Sequence, residues 1–202
     1  MIYTQFYKDQ YDKALDKKNE INTSLATPIG ILTALIGSLF YATSNFNFLG
    51  PSLLTITFSL FALISIILLG ISIYRLIRAF SDFHNGLEYG YLNDTDVLDN
   101  YYKTLIRFNT DRSISTIASV QHRSKDEFDQ YILSELIRNT GINQRKNRKK
   151  IFHRFHCHQY IIYALISLSL LVIPFGIDYC NNKDRVQKVK IESPISLQVI
   201  LK

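Results

Sequence analysis

A chain of 202 residues with a net charge of +6 and a mean hydropathy of +0.03 has the averages of a single soluble domain. The averages conceal a segregation, because residues 21–74 contain no Asp, Glu, Lys, Arg or His. Two cysteines, Cys157 and Cys180, exclude a disulfide framework; they flank the last apolar segment, so the expected topology sets them on opposite sides of a membrane.

Residues 1–26 form the first expected unit. They are charged throughout and lack the apolar core of a signal peptide. Tyr3, Tyr7, Tyr11, Leu15 and Ile21 recur at near-helical spacing, while Lys8, Asp9, Asp12, Lys13, Asp16, Lys17 and Glu20 fill the other faces. This predicts an amphipathic cytoplasmic helix with an Asp9–Lys13 pair of favourable polarity. It is expected to pack on the protein's own cytoplasmic part, with the headgroup layer or an oligomer contact as alternatives.

Residues 27–74 predict a transmembrane hairpin, since about 20 apolar residues cross a bilayer as a helix. The first helix is expected near 28–43 and the second near 53–74, with Gly50-Pro51 breaking the turn between them. Ala26, Gly30, Ala34, Ser38 and Ala42 recur every four residues as a ridge of small side chains, the expected packing or oligomer seam in lipid. Helix two of the same hairpin is the first expected partner and another subunit the second. Helix two carries small and polar residues of its own, Thr55, Ser59, Ala62, Ser65 and Ser72. No ionisable residue lies inside either helix, which disfavours an ion-coupled carrier. A hydroxyl-lined pore, or no conduction at all, is compatible with the pattern.

Residues 75–159 read as a cytoplasmic helical region. Arg75 and Arg78 close helix two at a basic edge, and a break is expected at Asn85-Gly86. Asp94-Thr95-Asp96 offers an N-cap for a helix carrying Val97, Leu98, Tyr101, Tyr102, Leu105 and Ile106. A Ser/Thr-rich connection is expected over 110–124, and Ser124-Lys125-Asp126-Glu127 matches a capping box. The helix it would open buries Phe128, Tyr131, Ile132, Leu136 and Ile137. Then come Arg145, Lys146, Arg148, Lys149, Lys150 and Arg154, directly before a third apolar helix at 160–177 and a polar tail at 178–202. Residues 195–199 of that tail alternate like a strand.

Lys and Arg mark the cytoplasmic ends of membrane helices. Lys8, Lys13, Lys17 and Lys18, then Arg75 and Arg78, then the basic run put the N-terminus and the central region in the cytoplasm. The multi-pass protein is expected in the inner membrane with its tail outside, although Lys183, Arg185, Lys188 and Lys190 in that tail pull the other way.

Chemistry is hard to find. No phosphate-binding glycine loop, nucleophile elbow or HExxH occurs, so neither an enzyme nor a cofactor is expected. Asp94-Thr95-Asp96 reads as a solvated helix cap before it reads as a metal site. His153 and Cys157 share a helical face at a spacing that suits two ligands of one metal, with further donors to come from His84, His122 or another subunit. The preferred reading of His153, His156, Cys157 and His158 is a basic interfacial collar, and no metal is expected. The basic run is expected to meet lipid headgroups or a partner protein. It lacks stacking aromatics, so nucleic acid is disfavoured.

The order of these parts resembles the SLATT-type small membrane effectors of bacterial antiviral defence. The resemblance is carried by the charged first helix, the charge-free hairpin, Tyr74-Arg75-Leu76-Ile77, Tyr89-Gly90-Tyr91-Leu92, Tyr101-Tyr102-Lys103-Thr104-Leu105 and Asn143, Asn147 and Lys149 before an apolar helix. It spans Tyr3 to about Ile177, with the third apolar segment as a departure from a two-helix pattern. The resemblance implies a non-enzymatic, pore-forming, abortive-infection effector that works as a homo-oligomer under a cytoplasmic sensor, and it implies no catalytic residue. The other reading is a membrane anchor or scaffold that docks a soluble partner and conducts nothing. The resulting expectation is an all-α integral membrane protein.

Overall fold

The computed structural model describes residues 2–50, 52–81, 88–112 and 117–182. Among these the secondary structure is helical throughout: α1 Ile2–Thr23, α2 Ala26–Asn45, α3 Ser52–Phe80, α4 Thr95–Arg112 and α5 Ile117–Asn182. Among the described residues three helical stretches, Tyr3–Asn45, Leu53–Phe80 and Ile117–Asn181, are long and apolar enough to cross a membrane. The expected break at Asn85-Gly86 and the strand-like 195–199 lie outside the described residues.

The spine is α5. The separate helices expected from Ser124 and over 160–177 are one helix of 66 residues, about 100 Å long at 1.5 Å per residue. The capping-box reading therefore fails: Ser124 lies inside the helix, fully buried, and accepts from Asn109 Nδ2 at 3.0 Å. The Glu127 carboxylate accepts from the same amide at 3.0 Å. The pair holds the end of α4 instead of starting a helix. Pro174, near the far end of α5, does not end the helix.

Every other helix is placed by its contact with this spine. Asn109 against Ser124 and Tyr101 against Tyr131 make α4 antiparallel to α5. The α4 start at Asp94-Thr95 is as expected, with Leu98 N donating to Asp94 O at 3.0 Å. Ala14 O against Asn147 and Ser24 against Arg154 make α1 parallel to α5. The chain kinks at Ser24-Leu25, and α2 continues in the same direction until Tyr41 meets Phe175. Then α3 returns, with Ser65 against Ser167 and Ser72 against Cys157.

The pattern that seats α3 on α5 is a heptad-like alternation of three and four. On α3 the buried positions are Phe58, Ala62, Ser65, Leu69, Ser72 and Ala79; on α5 they include Asn147, Lys150, Cys157, Ile161, Ala164, Leu168 and Leu171. Such spacing keeps one seam facing a neighbouring helix over many turns. At the turn end, Phe46 stacks on Phe58 with ring centroids 3.8 Å apart, and buried Asp178 accepts from Asn47 N at 3.0 Å.

The surface of this bundle is inverted relative to that of a soluble one. Phe40, Leu53, Ile56, Leu60, Ile66, Ile67, Ile162, Ile166, Val172 and Ile173 all face outward. A monomer in water rarely exposes so contiguous an apolar band, because each buried square ångström is worth roughly 25 cal/mol. The band belongs against lipid tails or other apolar protein.

The sequence stripe of α1 needs correction in detail. Tyr11, Ala14, Ile21 and Leu25 are buried, whereas Tyr3 is exposed and Tyr7 and Leu15 are half-buried. The buried line follows the contact with α5, as expected for a helix packed on its own chain. Asp9 accepts from Gln5 at 2.8 Å instead of pairing with Lys13.

Candidate functional site

The densest polar construction lies where α1, the segment 88–94 and α5 meet. Asn139, Asn143 and Asn147 recur every four residues, so one helical face presents three side-chain amides. All three are buried. Asn143 reads the backbone of Gly90 at both ends: Gly90 N donates to Oδ1 at 2.8 Å and Nδ2 donates to Gly90 O at 2.9 Å. One turn away, Asn139 Nδ2 donates to Tyr91 O at 3.0 Å. In the other direction Asn147 accepts from the Tyr89 hydroxyl at 2.7 Å and donates to Ala14 O at 2.7 Å.

An irregular segment pressed on a helix must have its backbone groups satisfied, and side-chain amides can do so because they carry both a donor and an acceptor. Gly90 is required by the closeness of this contact. A Cβ there would stand 2.6 Å from Asn139 Oδ1 and 3.1 Å from Asn139 Cα. From the α1 side, Lys18 donates to the Tyr91 hydroxyl at 2.9 Å and lies 4.5 Å from the Tyr89 ring centroid, while the Tyr11 hydroxyl accepts from Leu92 N at 3.3 Å. The ladder thus ties three parts of the chain together. Its sequence signal was available in the amides at a spacing of four on the face that continues into Cys157, Ile161 and Ala164.

The expected basic run is divided by exposure. Arg145, Arg148 and Lys149 are exposed, Lys146 and Arg154 are half-buried, and Lys150 is fully buried. Lys150 approaches Phe80 O at 3.5 Å and lies 5.4 Å from the Tyr89 ring centroid, so it is a packing residue and not one of the exposed cations of the run. Burial, then the charge of Lys149, pulls the Lys146 ammonium below its ordinary pKa, with Glu88 acting the other way. Arg154 donates to the Ser24 hydroxyl. The helix rises 1.5 Å per residue, so Arg145 stands about 22 Å before Tyr160 along its axis.

The histidines and cysteine diverge. His153 Nδ1 lies 3.3 Å from Arg75 Nη1, and since guanidinium can only donate, His153 accepts there. Cys157 packs against Ser72, His156 bonds Gln159, and exposed His122 faces Asp126 at 3.6 Å. Among the described residues no three of His, Cys, Asp and Glu gather around a point where a metal ion could sit.

The small-residue ridge turns away from its first expected partner. Ala26, Gly30, Ala34 and Ser38 are exposed and only Ala42 is buried. A Cβ added at Gly30 or Gly37 would meet nothing within 4 Å. Instead α2 packs through Pro28, Leu32, Leu35, Leu39 and Ala42. The internal contact is made by the leucine face, and the close-approach face is left open.

Between α1, α4 and α5 lies an open groove of about 920 Å³. Leu92, Leu98, Phe128 and Leu136 line it, with Lys8, Asp99, Lys125 and Asp129 among its polar residues. The chain matches no known family, no curated protein and no solved structure.

Proposed function

We propose that this protein is a non-enzymatic effector of the bacterial inner membrane, acting in antiviral defence of the abortive-infection type. It assembles into a homo-oligomer and permeabilises or depolarises the membrane when a cytoplasmic sensor triggers it. The observation that carries this reading is the open small-residue face of α2 within an outward-facing apolar band. In lipid, helices associate by close van der Waals approach, so an exposed face of Gly, Ala and Ser is where a second subunit gains most. The SLATT-type order of the parts supports the same reading, and the basic ends of the helices support a cytoplasmic N-terminus.

Inducible expression with a membrane-potential dye tests it. Depolarisation that precedes growth arrest is expected. Intact potential at high, verified membrane levels of the triggered protein would defeat the effector reading.

The groove between α1, α4 and α5 favours a second reading. A membrane anchor or scaffold needs a docking surface more than it needs an open membrane face, and this groove offers an apolar floor with charges of both signs. In that case the dye would report no change.

A further inference from the structure

Where the uncharged stretch of α3 ends, Arg75 and Arg78 stand one turn apart, both half-buried. Arg75 donates to His153, and the Nε atoms of both guanidiniums are buried without a partner. Among the described residues neither arginine forms an ion pair. Arg154, which bonds Ser24, adds positive charge to the surroundings. Glu20 feels the charge of Arg154 but is already held by Lys17 at 2.7 Å. His153 is pulled below its ordinary pKa by burial first and then by Arg78 and Arg75, which keeps it a neutral acceptor. Two guanidiniums, each with a buried N–H left over and no described counter-charge, form a receptor for an oxyanion. Phosphate fits best, because the guanidinium fork matches its oxygens in pairs.

The level of the arginine pair along α3 identifies the source of the phosphate. Tyr74, Phe152 and Phe155 point outward beside it, each more than half exposed. Aromatic rings collect at the depth of lipid headgroups, and basic recesses between membrane helices at that depth hold anionic headgroups. We propose that Arg75, Arg78 and His153 form a binding site for the headgroup phosphate of an anionic phospholipid. The site rests on insertion of α3 and α5 in a membrane, and not on the effector reading. It differs from the basic run of α5 in using the end of α3 and in being built from paired guanidiniums.

Native mass spectrometry of the full-length, detergent-purified protein tests this, with phosphatidylglycerol, phosphatidylcholine and glycerol 3-phosphate as probes. Phosphatidylglycerol is expected to bind about tenfold more tightly than phosphatidylcholine, and Arg75→Lys with Arg78→Lys should remove that preference, since lysine keeps the charge but loses the fork. Lys103→Gln with Arg123→Gln, at exposed cations away from the site, should leave it within about threefold. Equal binding of the two lipids by the wild-type protein would overturn the site, and this arm does not depend on any variant folding. A lysine pair that keeps the preference would also overturn it, by reducing it to surface charge. Displacement of the lipid by equimolar glycerol 3-phosphate would overturn the lipid as the source.

Discussion

The two ends of α5 solve the same packing problem with different chemistry. Toward Asn182 the partner helix α3 is regular, its backbone is satisfied internally, and small hydroxyls suffice at the seam: Ser65 donates to Ser167 at 2.9 Å, and Ser72 to Cys157 O at 3.1 Å. In the first half of α5 the partner is the irregular segment 88–94, whose backbone groups need outside partners, so the same face carries amides. One helix face therefore changes from Asn139, Asn143 and Asn147 to Cys157, Ile161 and Ala164 without changing its spacing. Along the buried face of α5, side-chain amides appear where a neighbour's backbone is unsatisfied.

The comparison is most sharply broken at Asn143. Asn143→Ala removes two hydrogen bonds and strands a backbone N–H and C=O of Gly90, which should cost about 2–4 kcal/mol. Limited proteolysis at 88–94, with denaturant melts in detergent, should show the polar end loosening while α3 and the end of α5 stay protected. Equal protection of 88–94 in variant and wild type would remove the ladder as the clamp.

Gly90→Ala tests the closeness of that contact from the other side. Its methyl must displace Asn139, including backbone, at an expected cost of about 1–3 kcal/mol. The melt should fall without any change in helicity.

At the apolar end the expected effects are smaller. Ser65→Ala and Ser72→Ala should each cost about 0.6 kcal/mol, because a helix pair in lipid retains its packing when one hydroxyl bond is lost. A loss as large as that of Asn143→Ala would mean that the two ends are not governed by different rules.

Smallest for the folded chain is Gly30→Leu, whose added atoms meet open space. Stability should change by less than about 0.5 kcal/mol. Chemical crosslinking should nevertheless show an oligomer replaced by monomer, since the branched side chain blocks the close approach of a second subunit. An undisturbed oligomer in both Gly30→Leu and Ala34→Leu would remove α2 as the assembly seam.

Several features of this protein were determined by the sequence alone, and each depends on properties that are local in the chain. Charge-free length identified three helices able to cross a membrane, the 3.6-residue period identified α1, and Asp94-Thr95 fixed the start of α4. Other features are decided only when distant residues meet. A capping box at Ser124 is valid chemistry for a helix start, yet Asn109 takes both of its acceptors, and α5 runs through it. The ridge at Ala26, Gly30, Ala34 and Ser38 shows close-approach capacity but not its partner, and the leucine face of α2 took the internal contact. Lys150 reads as one more cation in a basic run, and only the approach of Phe80 and Tyr89 buries it. Asn139, Asn143 and Asn147 look like polar surface until 88–94 folds against them. Backbone satisfaction and burial are properties of pairs of segments, and no single stretch of sequence contains its own neighbour.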